Sequence, residues 1–298
     1  MGMGGHAVKL VIFGLGFTAA YYAAHGAGAF ADVTATKRAP QGESLGRIKL
    51  LPFDGAAESC DPRLLAAIAE ADALLVSAGP DAQGDPVLRR LAKDIAAAPK
   101  LKKIVYLSTI GVYGDHQGAW IDETAPTHPT NERSRIRLVA EAQWLDLAKA
   151  SGKQAYVLRL SGIYGPGRNV LQKLRDGTAK RLVKPGQVFN RVHVEDISRA
   201  INACLTGPAP GGIYNVTDDE PAPPQDVVLY AAQLMGVEPP PEQDFVAAQL
   251  TPMARSFYGE NKRVSNRRMK ALLDFDLALP TFREGIAALL AQGEGDAD

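Results

Sequence analysis

The chain has 298 residues, of which 46% are hydrophobic and 22% are charged. This composition is typical of a folded protein with a packed core, and it excludes disorder, collagen and coiled coil for the chain as a whole. Basic and acidic residues both number 33, so no net charge favours nucleic acid or an anionic membrane, and we expect neither partner. Cys60 and Cys204 lack metal-ligand spacing, which favours a reducing, cytoplasmic setting and no metal site.

The segment 10–31 contains no Asp, Glu, Lys or Arg and has the length of a membrane span. Its apolar beginning is followed by GLGFTAAYYAAHG, in which glycines, two tyrosines and a histidine interrupt the apolar character. This order of residues predicts a strand, a glycine turn and a helix. A membrane anchor is the less favoured alternative.

Apolar runs alternate with helical patterns through the first two thirds of the chain. The runs are AVKLVIF, DVTAT, RIKLLPF, DALLVSA, KIVYLST and AYVLRL, and helical patterns such as PVLRRLAKDIAAA and RSRIRLVAEAQWLDLAKASG separate them. This alternation predicts an α/β fold with a doubly wound parallel sheet. Nearly continuous apolar runs are typical of strands that are buried on both faces. After Leu160, connections rich in Gly and Pro predict a smaller, mostly C-terminal lobe.

A glycine loop directly follows the first predicted strand and opens a helix, which is the context of a GxGxxG/A dinucleotide-binding loop. Its residues are Gly14, Leu15, Gly16, Phe17, Thr18 and Ala19. Gly14 would make the tight turn, and Gly16 would let the backbone approach a pyrophosphate at the helix N-terminus. An ordinary turn is the alternative. We therefore predict that this loop binds a dinucleotide.

The end of the second predicted strand favours NADP over NAD. An NAD enzyme usually has an acidic residue about 20 residues after the loop, whereas this chain has Thr36, Lys37 and Arg38. A hydroxyl and two cations suit a 2′-phosphate, although a solvated loop is the alternative. Asp54, which closes the third predicted strand, either accepts a bond from the adenine amino group or begins a loop.

These features resemble the extended short-chain dehydrogenase/reductases, the group that contains nucleotide-sugar epimerases and dehydratases. The resemblance runs from Val8 to about Leu290 and rests on ordered motifs: the glycine loop, LVSAGP, YLSTIGVYGD, WIDETAP, RLSGIYGPGRN, RVHVEDISRAI and IYNVTDDEP. It implies an NAD(P)-binding Rossmann fold, with Ser77 and Ala78 at the cofactor. We expect the dinucleotide-binding domain over residues 1–165, with 190–216 returning to it. The substrate-binding lobe would then comprise 166–189 and 217–298.

The resemblance also implies that Ser108 or Thr109 polarises the substrate carbonyl or hydroxyl. The family has a catalytic Tyr and Lys at the start of the next helix, and alignment on Glu141 places Arg133 and Arg137 there. Because arginine does not give up its proton in proteins, Arg133 is not the usual proton shuttle. Arg137 can still donate to the nicotinamide ribose.

Two other tyrosines are candidates for the catalytic acid that the family's tyrosine usually supplies. The pair Tyr258 and Lys262 has the right spacing but the wrong place in chain order, and we reject it. Tyr113 follows the strand that carries Ser108 and is the best substitute, although packing under the loop is the commoner fate of such a residue.

The resemblance places Tyr164 beside the nicotinamide and Arg168 at the start of the substrate lobe. His193 could titrate near neutrality and meet the substrate, or it could simply join the lobe to the core. Arg263 belongs to a late basic segment that resembles the cover of the substrate pocket, and a solvated helix face is the alternative.

Two functions follow. The first is an NADP-dependent oxidoreductase or epimerase that acts on an anionic metabolite, phosphorylated or nucleotide-linked, because arginines stand where a neutral tyrosine is usual. The second is a non-catalytic NADP(H)-binding sensor, because the usual Tyr and Lys are missing. The resemblance also allows a homodimer through the helices after the fourth and fifth predicted strands.

Overall fold

The computed structural model describes residues 8–57 and 59–295. Residues 1–7, Glu58 and residues 296–298, which the predicted domain boundaries include, lie outside the described residues.

The strands are short, and most follow the apolar runs of the sequence. In chain order they are β1 (Lys9–Phe13), β2 (Asp32–Lys37), β3 (Ser44–Leu45), β4 (Ile48–Pro52), β5 (Ala73–Val76), β6 (Lys103–Thr109), β7 (Trp120–Ile121), β8 (Gln154–Leu160), β9 (Gly162–Tyr164), β10 (Arg181–Val183), β11 (Arg191–His193), β12 (Gly212–Val216), β13 (Glu242–Asp244) and β14 (Arg263–Val264).

The helices separate the strands of the first half and predominate in the second. They are α1 (Phe17–Tyr21), α2 (Pro62–Glu70), α3 (Pro86–Ala97), α4 (Glu132–Ala150), α5 (Val170–Arg175), α6 (Val194–Thr206), α7 (Pro224–Met235), α8 (Pro252–Phe257), α9 (Arg267–Leu273) and α10 (Phe282–Ala291). A π-helical turn, Tyr22–Gly26, and a 3₁₀ turn, Ala27–Ala29, continue α1, and a second 3₁₀ turn, Ile110–Tyr113, follows β6.

The main sheet has eight strands in the order β12-β8-β6-β5-β1-β2-β4-β3. All neighbours pair in parallel except β3, which is antiparallel to β4. The strand order reverses between β1 and β5, and open α/β sheets bind their ligands at such a point, beyond the carboxyl ends of the strands. The prediction of a doubly wound parallel sheet is confirmed.

Both faces of the sheet are buried. Successive strand residues point to opposite faces, so Leu10 and Ile12 of β1 pack into one core, and Val11 and Phe13 pack into the other. The first core lies on the side of α1, α6 and α9, and the second lies on the side of α2, α3 and α4. This double burial explains why the strands are almost continuously apolar in sequence.

The uncharged segment 10–31 forms most of β1, the glycine turn and the helical run that begins at Phe17. The predicted order of strand, turn and helix is therefore confirmed. Within the part of the chain that the structure describes, no helix is both long enough and apolar enough to cross a membrane.

A third apolar core lies outside the sheet and joins α5, α7 and α10. Its fully or nearly buried members include Leu171, Ala231, Phe282, Ile286 and Leu289. Three short parallel strand pairs also lie outside the main sheet: β9 with β11, β10 with β13, and β7 with β14. The division at residues 165 and 166, with 190–216 returning to the first domain, stays a prediction.

Asp85 connects two helices of the second core. Its carboxylate accepts the amide protons of Val87 (2.9 Å) and Leu88 (3.0 Å) and so caps the N-terminus of α3. Its other oxygen accepts the indole N–H of Trp144 in α4 at 3.1 Å. Asp85 and Trp144 are both buried, so this one side chain satisfies two buried donors and one partly buried donor.

We expect Asp85→Ala to lower the free energy of unfolding by about 2–4 kcal/mol, because it removes a helix cap and leaves a buried indole N–H without an acceptor. Urea denaturation measures the loss. Asp61 caps α2 through the amide of Arg63 at an exposed position, and Asp61→Ala is the matched control with a smaller loss. Equal losses in the two variants would contradict the role given to Trp144.

Candidate functional site

The glycine loop lies at the reversal point of the sheet and fits closely against the end of β5. Gly14 has a φ of +85°, and a Cβ atom there would lie 2.8 Å from the amide nitrogen of Ala78. The amides of Ser77 and Ala78 both donate to the carbonyl of Phe13, at 2.8 and 2.9 Å. By contrast, a Cβ at Gly16 would have no atom within 4 Å. The loop is therefore tight towards the sheet and open towards the cleft.

Thr36 holds the loop from behind. Its hydroxyl accepts the amide proton of Gly14 at 3.0 Å, and its carbonyl accepts that of Leu15 at 2.9 Å. Thr36 is only 1% exposed, so its side chain supports the glycine turn. The prediction that its hydroxyl faces a 2′-phosphate is therefore wrong. The side chains of Leu15 and Thr18 are also buried. The amides that remain for a phosphate belong to the first helical turn, from Phe17 onward.

A cleft of about 610 Å³ opens beside the ends of β2 and β4. Exposed Arg38 lines it together with Phe53, Asp54, Arg63 and Arg90, and Lys37 is exposed next to Arg38. Asp54 accepts the amide protons of Ala56 and Ala57 at 2.9 Å each, which hold the pKa of its carboxyl below the usual range. Asp54 therefore begins a loop, and its contact with adenine stays a prediction.

Two adjacent hydroxyls at the end of β6 have different surroundings. Ser108 is buried and donates to the carboxylate of Glu141 in α4. Thr109 is half-buried, and its hydroxyl accepts the amide proton of Gly111 at 3.1 Å. A Cβ at Gly111 would lie 3.2 Å from Oγ of Ser134 and 3.4 Å from Oγ1 of Thr109. Of the two predicted hydroxyls, Thr109 thus belongs to the more exposed residue, and Ser134 is close by.

Behind these hydroxyls lies a buried ion pair that the sequence reasoning missed. Nη2 of Arg159 in β8 donates to the carboxylate of Glu141 at 2.8 Å, and Nε lies 3.2 Å from the same oxygen. Both side chains are less than 5% exposed. The available signal was a single charged residue within the apolar run AYVLRL, because a charge in a buried strand requires a partner.

Tyr113 belongs to the same network and is not a substitute acid at the cleft. The residue is fully buried, and its hydroxyl donates to Oδ1 of Asn215 at 2.8 Å. The guanidinium of Arg159 lies 4.7 Å from the ring centroid. Burial raises the pKa of the Tyr113 hydroxyl above its usual value. The predicted catalytic role of Tyr113 is therefore wrong, because packing under the loop occupies the hydroxyl.

The two arginines of α4 that the alignment places at the Tyr and Lys positions differ in exposure. Arg133 is exposed. Arg137 is half-buried and donates from Nη1 to the carbonyl of Leu107 at 2.8 Å. Its Nη2 lies beside the loop after β5, where a Cβ at Gly79 would be 3.1 Å away. Arg137 thus brings a fixed cation to the edge of the sheet that carries the glycine loop.

A model of the NAD-dependent epimerase/dehydratase family matches residues 87–217. A conserved protein of unknown function from Silicibacter pomeroyi DSS is 46% identical, covers 96% of this chain and 99% of its own, and has a TM-score of 0.85. A candidate NAD-dependent epimerase/dehydratase from Methylobacillus flagellatus is 26% identical, with the same coverage and a TM-score of 0.71. Residues 87–217 therefore match the NAD-dependent epimerase/dehydratase family, and the fold is that of its structural neighbours.

Further relatives extend this comparison. Protein YeeZ of Escherichia coli (strain K12) is 34% identical over 188 residues, which are 61% of this chain and 65% of YeeZ. The match therefore spans less than two thirds of that relative. MoeE5, solved with UDP-glucuronic acid and NAD, is 19% identical over 94% of this chain and 96% of its own, with a TM-score of 0.76. At that identity the likeness concerns the fold alone.

Several side chains that the family resemblance places in the epimerase/dehydratase site have other roles here. The Tyr164 ring is half-buried, and its hydroxyl is buried where a Cβ at Gly285 of α10 would lie only 1.9 Å away. The guanidinium of Arg168 lies 5.5 Å from the ring centroid of Phe17, over the glycine loop. Arg263 donates to the carbonyl of Gly118. Tyr164 and Arg263 thus make protein contacts, and their roles at the nicotinamide and over the substrate pocket stay predictions.

Tyr258 and Lys262, which have the spacing of the catalytic pair, are engaged by packing and hydrogen bonds within the protein. The ring of Tyr258 stacks on Phe245, with centroids 4.7 Å apart. Nζ of Lys262 donates to the carbonyl of Gly114 and to the carboxylate of Glu260, both at 2.6 Å. Both residues are buried, so their contacts are structural.

Two buried titratable side chains lie at β11: His193 belongs to the strand, and the amide of Asp218 donates to the carbonyl of Arg191 in the same strand. Nδ1 of His193 accepts the amide proton of Glu195 and caps α6, and burial lowers the pKa of His193 to about 4. The prediction that His193 titrates near neutrality is therefore wrong, because desolvation favours the neutral ring. Asp218 is 2% exposed, and burial raises its pKa to about 8, although the guanidinium of Arg191 partly opposes this shift.

These shifts predict a pH-dependent stability. Between its ordinary pKa of 3.8 and about 8, Asp218 holds a proton in the folded chain but not in the unfolded chain. The free energy of unfolding therefore falls as the pH rises through this range. His193 acts in the opposite direction, but only between about pH 4 and its ordinary pKa of 6.5. The net fall is clearest between about pH 6.5 and 8, at about 2 kcal/mol.

Urea denaturation at pH 6.5 and at pH 8 measures this fall. We expect Asp218→Asn to remove it, because the amide does not ionise. Asp219 is exposed and bound to Lys270, and Asp219→Asn is the control that keeps the fall. The same fall in Asp218→Asn as in the unchanged protein would assign the pH dependence to another group.

Proposed function

We propose that the protein is an NADP-dependent oxidoreductase or epimerase that acts on an anionic small molecule, either phosphorylated or nucleotide-linked. One observation carries the proposal. The hydroxyl of Thr109 and the guanidinium of Arg137 lie at the carboxyl ends of neighbouring strands, β6 and β5, and β5 also neighbours β1, which ends in the glycine loop. A hydroxyl that can donate or accept, beside a fixed cation, suits an anionic substrate with a reactive oxygen.

The residues around the glycine loop fit a dinucleotide. The sheet leaves no room for a side chain at Gly14, whereas the space beyond Gly16 is free for a pyrophosphate. Lys37 and Arg38 are exposed at the end of β2, and the carboxylate of Asp54 is engaged by backbone amides. Two cations without an opposing acid favour the 2′-phosphate of NADP over the free hydroxyl of NAD.

The chemistry at the site differs from that of a Tyr and Lys pair. When bound, the nicotinamide supplies a hydride donor or acceptor. Arg133 and Arg137 stay protonated, so they bind and orient anionic groups but take up no proton. Thr109 orients the reacting oxygen by donating or accepting a hydrogen bond. A proton that leaves the substrate oxygen therefore does not pass to Arg133 or Arg137.

The kind of substrate and the setting are parts of the same proposal. MoeE5 was solved with UDP-glucuronic acid, an anionic nucleotide-linked sugar, and two arginines of α4 favour a ligand of that charge here. Free thiols at Cys60 and Cys204 favour the cytoplasm. The family resemblance extends the same proposal to a homodimer through α3 and α4.

Cofactor preference can be tested by titration, with nicotinamide fluorescence as the measurement. We expect NADPH to bind more tightly than NADH. The double variant Lys37→Ala with Arg38→Ala should weaken NADPH roughly 10- to 100-fold and leave NADH almost unchanged, because only NADPH carries the phosphate. Lys173→Ala with Arg175→Ala removes the same charges from exposed positions of α5 and serves as the control. An equal loss for both cofactors would overturn the preference.

A second candidate function, a non-catalytic NADP(H) sensor, is favoured by the burial of Tyr113, which removes the best substitute acid. Turnover separates the two. In a screen of phosphorylated and nucleotide-linked metabolites with NADP(H), we expect hydride transfer that Thr109→Ala lowers about 100-fold or more, since an oriented donor at the reacting oxygen is lost.

In the same screen, Thr109→Ser keeps the hydroxyl and should retain most of the rate. Ser108→Ala should act mainly on stability, because Ser108 is bonded to Glu141. Tight NADPH binding without turnover of any metabolite would favour the sensor. Full activity of Thr109→Ala would remove Thr109 from the site.

A further inference from the structure

A turn of the second half of the chain lies over the glycine loop and carries an arginine. The guanidinium of Arg168 is 5.5 Å from the ring centroid of Phe17, the first residue of α1. A Cβ at Gly165 would lie 3.5 Å from Cζ of the same ring. Arg168 is exposed, so its guanidinium lies at the surface beside the first residue of α1.

The backbone of this turn is fixed. The amide of Gly165 donates to the carbonyl of Arg168 at 3.1 Å, and the amide of Arg168 donates back at 3.0 Å. Gly167 has a φ of +70°, a conformation that glycine adopts at low cost. The side-chain amide of Asn169 donates to the carbonyl of Gly165 at 3.1 Å. Arg168 therefore extends from a closed, four-residue turn and not from a loose loop.

A carboxylate near the C-terminal end of the described chain holds the same turn. Oε1 of Glu294 accepts the amide proton of Gly167, and Oε2 accepts a side-chain amide proton of Asn169, both at 2.9 Å. The amide of Glu294 donates to the carbonyl of Leu289 at 3.1 Å, which ties it to the end of α10. Both oxygens of Glu294 thus bind neutral donors of the turn.

This arrangement leaves the arginine charge available. Among residues 8–57 and 59–295, Arg168 forms no ion pair, and Glu294, the acid that binds the turn, is directed to Gly167 and Asn169. A guanidinium presents several N–H donors in a plane that matches phosphate oxygens. The open backbone at Gly16 immediately precedes Phe17, whose ring the guanidinium covers. A doubly anionic pyrophosphate is the ligand that this combination fits.

We propose that Arg168 binds the pyrophosphate of the dinucleotide and that Glu294 is its positioning residue. This inference rests on the proposed function, since it requires that the glycine loop holds a dinucleotide. The sequence indicated that Arg168 contacts the substrate, whereas this inference assigns Arg168 to the cofactor. It also makes cofactor affinity depend on a contact between residues 127 positions apart in the chain.

Binding of three compounds tests the role of Arg168: NADPH, ADP-ribose, which has a pyrophosphate, and adenosine 2′-monophosphate, which has none. Calorimetric titration measures each dissociation constant. We expect Arg168→Gln to weaken NADPH and ADP-ribose roughly 10- to 100-fold and to change adenosine 2′-monophosphate less than about twofold. Arg175→Gln, which removes an exposed arginine of α5, should change none of the three. Circular dichroism confirms that each variant is folded.

A double-mutant cycle tests the positioning role of Glu294. Glu294→Ala should weaken ADP-ribose about three- to tenfold in the unchanged protein and have almost no effect in the Arg168→Gln background, because it acts only through Arg168. Additive losses would overturn the positioning role. Truncation after Gly293 removes the same carboxylate and should reproduce the loss of Glu294→Ala.

The two levels of the proposal fail in different ways. If the unchanged protein binds neither NADPH, NADH nor ADP-ribose, the dinucleotide function is wrong and the inference falls with it. If the unchanged protein binds NADPH and Arg168→Gln binds it equally well, the dinucleotide function stands and the role of Arg168 is wrong. An equal loss for all three compounds would place Arg168 away from the pyrophosphate.

Discussion

The buried ion pair between Glu141 and Arg159 is the constraint on which the centre of the molecule depends. It joins α4 to β8, at 2.8 Å, in a region closed to water. Two charges are stable in such a place only when each satisfies the other, and loss of one partner leaves the second uncompensated. Ser108 of β6 donates into the pair, and Arg159 covers the ring of Tyr113. One interaction therefore fixes a helix, two strands and the loop that follows them.

This constraint decides which groups reach the cleft. Ser108 is bonded into the pair, whereas Thr109, the last residue of β6, lies outside it and accepts the amide proton of Gly111 through its hydroxyl. Tyr113 is held below the loop by Arg159 and Asn215. What remains at the mouth is a hydroxyl with permanently charged arginines nearby. The groups proposed for the reaction are therefore those whose side chains are not bonded within the core.

The sequence was sufficient for the sheet and the glycine loop, because both depend on local order. Apolar runs mark the buried strands, and a glycine turn between strand and helix marks the loop, whereas β3, with only two residues, is too short to leave a pattern. The roles of Tyr113 and His193 depended on burial by segments far away in the chain. Tyr113 meets Asn215 across 102 residues. No periodicity reports such contacts, although the lone Arg159 in an apolar run was a usable sign.

The close packing of Tyr164 against Gly285 makes the side chain tolerated at position 285 depend on the residue at position 164. A Cβ at Gly285 would lie 1.9 Å from the tyrosine hydroxyl, and close-packed interiors do not absorb such an overlap without rearrangement. Any side chain at position 285 is therefore tolerated only after position 164 has become smaller. In the reverse order, the intermediate sequence would carry the clash. The order in which the two residues change is thus set by the geometry of α10, independently of any ligand.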